Sequence, residues 1–198
     1  MSRRHREAAT LLAHAVSLDS SLTEARVLLA TAFDLQGMRE RAAYHYRDVI
    51  DRRQQANDQE TALALNNRGY SLHLAGEHKA AQKLIARAVE LDSSNSRFLN
   101  NLGIVNFRLN KHKEAVKAFA KAGGEAQAYV NLAILLEQDG RRQDALKYYA
   151  RARQLDPSSE MVRRRMHDLD ERANRDHAQL AVATRPRTVQ PTTETVKQ

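Results

Sequence analysis

The stretch Leu65–Ala81, LNNRGYSLHLAGEHKAA, returns thirty-four residues later as Leu99–Ala115, LNNLGIVNFRLNKHKEA. Self-similarity at such a period outranks any local reading, because it makes a supersecondary module the unit of structure. Aligned on Gly69 and Gly103, the register extends to Ala30 and Ala133. Seven residues on stand Gly37, Gly76, Asn110 and Gly140, and five further Ala42, Ala81, Ala115 and Ala145. Then come Tyr46, Ile85, Phe119 and Tyr149, followed by Val49, Ala88, Ala122 and Ala152. Leu-Asp-(Ser/Pro)-Ser closes two of the units, at 91–94 and 155–158.

Each recurrence has a mechanical reason. A small residue within a first helix lets a second helix approach closely. A Gly or Asn seven residues later can take the left-handed conformation that ends a helix. The alanine and the large apolar residue of the second helix then pack back across the turn. Such a pair cannot bury its apolar face alone, so neighbours must stack. The composition agrees. Ala, Leu, Arg, Glu and Gln, all good helix formers, dominate, while Trp is absent and only 3 Pro occur in 198 residues. The expectation is an all-α protein, a right-handed α-solenoid of helix–turn–helix repeats.

With these landmarks the chain resembles the tetratricopeptide repeat (TPR) superfamily, whose 34-residue unit carries small–Gly–Ala–aromatic–Ala positions. The resemblance covers 22–159 as four repeats, about 23–56, 62–95, 96–125 and 126–159. Extra residues (QANDQ, near 55–59) separate the first two, and the third closes early at Ala122-Gly123-Gly124. Residues 2–21, with Ala8, Leu12, Ala15 and Val16 before LDSS, match the second helix of a partial leading unit. A solenoid that begins halfway through a unit suggests a fragment of a longer protein with Met1 added. Residues 160–180 are expected as a capping helix. Residues 181–198, mostly the Thr/Pro-rich TRPRTVQPTTETVKQ, are expected as a disordered polar tail dispensable for folding.

No chemistry is expected of this chain. It has no cysteine, so disulfides, zinc–thiolate sites and thiol nucleophiles are excluded. The eight histidines form no HExxH, and there is no GxGxxG, P-loop or GxSxG. No cofactor or metal is expected. Tyr46, Phe119 and Tyr149 fall at the packing position and read as core. No apolar run is long enough to cross a bilayer, and the start is a poor signal peptide.

The recurring asparagines need a separate reason, since asparagine is an indifferent helix former. Asn67, Asn101 and Asn131 hold one position on three consecutive first helices, and Asn66 and Asn100 precede two of them. The resemblance implies that first helices line a concave groove. There an amide, with a donor and an acceptor, can pair with an extended peptide main chain. Alternatively, the amides bridge adjacent helices within the solenoid. Helical spacing adds Tyr70, His73, Arg97, Ile104, Phe107, Arg108, Val130 and Ile134, a mildly basic, partly aromatic groove, with Arg164 and Arg165 near its end. A clamp for an acidic C-terminus is not expected, because the first repeat offers Val27 and Thr31 where cation and amide are needed.

The expected function is a non-catalytic scaffold that binds a peptide or subunit of a partner protein. The run NNLGIVNF…AVKAFAKAGGEAQAYVNLAILLEQDGR is similar to TPR lipoproteins of the tight-adherence (Tad/Flp) pilus assembly system. That likeness implies secretin assembly, a lipidated cysteine near the natural N-terminus and a periplasmic or outer-membrane setting; without it the setting is cytoplasmic. The rival class binds RNA or another polyanion, on the strength of a net charge of +8 and the run Arg163-Arg164-Arg165. By segment the charge is 0 for 1–60, +3 for 61–110, +3 for 111–158 and +2 for 159–198, dispersed rather than local. Self-association through the solenoid ends is a third expectation.

Overall fold

Apolar residues at helical spacing build ten helices among the described residues, 3–52 and 57–183 of a computed structural model. They are α1 (Arg3–Leu18), α2 (Thr23–Leu35), α3 (Arg39–Asp51), α4 (Asp58–Leu74), α5 (His78–Leu91), α6 (Ser96–Arg108), α7 (His112–Gly123), α8 (Glu125–Gln138), α9 (Arg142–Leu155) and α10 (Glu160–Ala183). Each first helix packs most extensively on the second helix that follows it, α2 on α3 through α8 on α9. The first helices α2, α4, α6 and α8 also touch one another in succession, which places them on the inner, concave side. The fold is an all-α TPR-type solenoid, as its repeat period predicts.

The close approach falls on the small residues. A Cβ added at Gly69 would stand 2.5 Å from Ile85 Cγ1 and 3.2 Å from the carbonyl oxygen of Ala81. One added at Gly103 would stand 2.6 Å from Phe119 Cδ1. Tyr46, Ile85, Phe119 and Tyr149 are buried, and so are Ala42, Ala81, Ala115 and Ala145. The packing layer recurs in every repeat.

The turn between paired helices is a Schellman motif in all four repeats. At Asn110, φ is 59°, its N–H donates to Phe107 O (2.9 Å), and Lys111 N–H donates to Asn106 O (2.9 Å). Gly37, Gly76 and Gly140 make the equivalent pairs. The closing Leu-Asp-x-Ser is an Asx turn that links repeats. Asp156 Oδ1 accepts from Ser158 N (3.1 Å) and Oγ (2.7 Å), and Asp19 and Asp92 do the same for Ser21 and Ser94. These bonds hold Asp19 below the usual carboxylate range; Asn95 and then Ser94 do so for Asp92.

The ends and insertions follow local chemistry. Asn57 caps α4 in a capping box with Glu60, after the extra residues between the first two repeats. Gly124, with φ 88°, is the single residue between α7 and α8. α1 lays Ala9, Leu12 and Val16 against α2 and leaves Leu11 and Leu18 exposed. α10 rests on α9 through Val162, Met166 and Leu169. It runs to Ala183, beyond the 180 expected as its end; 184–198, expected as a polar tail, lie outside the described residues.

Candidate functional site on the inner face

The inner surfaces of α2, α4 and α6 enclose a recess of about 410 Å³. Its polar floor is a relay of side chains. Thr31 donates its hydroxyl to Val27 O (2.9 Å), and its oxygen lies 3.1 Å from Tyr46 Oη and accepts from Asn67 Nδ2 (3.3 Å). Asn67 Oδ1 accepts from Asn66 Nδ2 (3.0 Å), and Asn66 Oδ1 accepts from Asn101 Nδ2 (2.9 Å). The relay therefore crosses from α6 through α4 to α2. Beside it Ser71 Oγ donates to Asp34 Oδ1 (2.8 Å). Burial raises the Asp34 carboxyl above its usual range, partly offset by Ser71, and burial likewise pushes the Tyr46 hydroxyl up.

Above this floor the walls are apolar and open. Leu35, Tyr70 and Leu74 line the recess and are 56%, 40% and 59% exposed. Arg97 stands exposed at the α6 edge, its guanidinium carbon 5.7 Å from the centre of the Phe98 ring. A second, shallower recess of about 290 Å³ is lined by Asn100, Ile104, Asn131, Ile134 and Leu135. There Asn131 Nδ2 reaches Asn100 Oδ1 (3.5 Å), and Gln127 Nε2 donates to Asn131 Oδ1 (2.8 Å).

Several sequence candidates are placed elsewhere. Asn66 is 1% exposed, so its amide braces helices rather than meeting solvent. Phe107 (3% exposed) and Val130 (4%) belong to the core, with Phe107 stacked on His112 at 5.4 Å. Both side chains turn into the core, which takes these apolar residues out of the groove. His73 lies at the turn, its Nδ1 3.2 Å from His78 Nδ1. The groove cations are also spent: Arg108 pairs with Asp139 (2.6 Å), Arg165 with Glu137 (3.2 Å) and Arg164 with Glu160 (2.5 Å). The groove is therefore less basic than its arginines imply, and Arg39 and Arg97 are exposed cations in the lining of its recess.

Sequence reasoning missed Asp34, Leu35, Ser71 and Leu74. Asp34 shares its register position with His73, Phe107 and Glu137, so nothing there recurs. The recess is built from differences between repeats, which repeat alignment hides.

Four consecutive helix pairs with a concave inner face define an α-solenoid of helix–turn–helix repeats. Models of the tetratricopeptide repeat match residues 75–124 and 126–159. No curated protein matches the sequence. Among solved structures, YrrB, described as a TPR protein with an unusual peptide-binding site, is 20% identical at a TM-score of 0.57, covering 83% of this chain and 83% of its own. MamA from Desulfovibrio magneticus is 17% identical at a TM-score of 0.59, covering 79% and 88%. A chain of the APC/C hetero-tetramer Cut9–Hcn1 is 16% identical at 0.60, covering 86% of this chain and 34% of its own. Residues 75–124 and 126–159 are thus tetratricopeptide repeats, and the helix pairs before them share their fold.

Proposed function

We propose that the chain is a non-catalytic scaffold that holds an extended segment of a partner protein on its inner face, anchored in the recess of α2, α4 and α6. The observation that carries this reading is the pairing of exposed apolar walls, Leu35, Tyr70 and Leu74, with a polar floor already satisfied internally. An apolar side chain entering such a recess gains burial without stripping water from unpaired amides. The asparagines then act mainly as braces between first helices. Asn101 and Arg97, at the edge, are placed for a peptide carbonyl. The peptide-binding site named for YrrB lends this reading support through shared fold alone. The pilus-assembly setting rests on the sequence likeness.

Selection of random peptides displayed against the full chain tests the proposal. Binders should converge on one large apolar residue within an extended segment, and each should compete with the others. A selection that returns no binder, or binders that do not compete, contradicts it.

A further inference from the structure

The positive charge that is dispersed along the sequence is gathered by the fold. The outer helices α5, α7 and α9 carry net charges of +2, +2 and +3, against +8 for the whole chain. The inner helices α2, α4, α6 and α8 carry −1, −1, +2 and −2. Within the outer layer the cations take shared register positions: Lys79, Lys83 and Arg87 on α5; Lys113, Lys117 and Lys121 on α7; Lys147 and Arg151 on α9. All are exposed. Residues four apart share a helix face and lie about 6 Å apart along it. Stacking the repeats lines them up in rows along the solenoid, the central row being Lys83, Lys117 and Lys147. On α3 the same positions hold Glu40, Tyr44 and Asp48, so the rows begin with the second repeat.

Among the described residues the six cations of α5 and α7 make no ion pair, while Lys147 pairs with Asp144 (3.0 Å). The acidic residues on these three helices are Glu90, Glu114 and Asp144. Rows of uncompensated like charge repel one another and do nothing for the fold. By contrast, two arginines of the run Arg163–Arg165 are paired, Arg164 with Glu160 and Arg165 with Glu137.

We propose that the outer face of α5, α7 and α9 binds a nucleic-acid strand through its phosphates, without reading its bases. The rows run lengthwise, which matches a linear polymer of charge. They are mostly lysine, a point charge suited to phosphate. The aromatic residues of these helices are withdrawn from the rows, Phe119 and Tyr149 buried and Tyr148 half-buried and stacked on Tyr129 (6.2 Å), so contact is with the backbone. The large exposed apolar residues of these helices, Leu91 and Leu155, end them outside the rows, leaving nothing there to insert into lipid.

The test measures binding of the full chain to mixed-sequence RNA and DNA single strands of roughly 20 nucleotides, longer than a single-strand binding site. Each neutralised phosphate contributes a salt slope of about −0.7, so six contacts weaken binding about 300-fold between roughly 50 and 200 mM salt. The triple variant Lys83→Glu, Lys117→Glu, Lys147→Glu should lose more than tenfold at the lower salt, and arginine at the same places should retain binding. Glutamine replaces glutamate if circular dichroism shows the reversal unfolding the chain. The proposal is overturned by no binding at low salt, or by unchanged binding of a folded triple variant. Capture of phosphatidylserine vesicles or poly-glutamate with no oligonucleotide binding also overturns it.

Discussion

Gly103 carries no side chain because the ring of Phe119 occupies the space one would take, and Gly69 gives way to Ile85 in the same manner. The equivalent positions in the outer repeats hold Ala30 and Ala133 against Tyr46 and Tyr149. Gly103→Ala should therefore lower the melting temperature even though alanine is the better helix former, and Gly103→Leu should cost more than the usual overpacking range of about 1–3 kcal/mol. A thermal melt of both variants checks it; unchanged melting would refute the contact. Asn66 makes the opposite kind of demand. Its truncation to alanine leaves Asn67 Oδ1 and Asn101 Nδ2 without a partner, at a cost of about 1–3 kcal/mol in a denaturant titration. An exposed peptide-binding asparagine would instead show stability level or raised.

At the scale of the element, the turn decides where the first helix stops. Asn110 takes a left-handed conformation that only Gly and Asn adopt at low cost. Asn110→Gly should leave stability level or better, and Asn110→Val should lose about 1–2 kcal/mol by chemical denaturation. Helix pairing, turns and packing positions were legible because they recur every thirty-four residues, and physical necessity recurs with them. The inner face was half legible. Tyr70, Arg97 and Asn101 line the recess as helical spacing suggests, whereas Phe107 and Val130 share that spacing yet turn into the core. A helix face seen in projection does not say which neighbour covers it. Asp34 and Ser71 meet only because α2 and α4 stack, a contact across thirty-seven residues that no local pattern announces.

Over the whole molecule, acid should loosen the solenoid. Burial holds His45 and His73 below the ordinary histidine range, with Arg26 adding for His45 and His78 for His73. The unfolded chain then binds protons that the folded chain refuses, so their contribution is present above about pH 6.5 and is lost as pH falls through the lowered folded values. His73 also meets His78 nitrogen to nitrogen, a contact that needs one ring neutral. The melting temperature should drop from neutral to mildly acidic pH, and His45→Gln with His73→Gln should shrink that drop. A drop of the same size in the double variant would assign it to other groups.

The claim that organises these observations is that the recess of α2, α4 and α6 anchors a partner segment by an apolar side chain. Calorimetric titration of a selected peptide into the wild-type chain and the Tyr70→Ala, Leu74→Ala variant, with melting curves alongside, tests it most directly. Both residues are exposed in the free chain, at 40% and 59%, so melting should stay level. Losing their contact should weaken binding at least tenfold, since burying one large apolar side chain contributes about 1.5–3 kcal/mol and 1.4 kcal/mol is tenfold. Unchanged affinity in a variant that melts like the wild type would contradict the account.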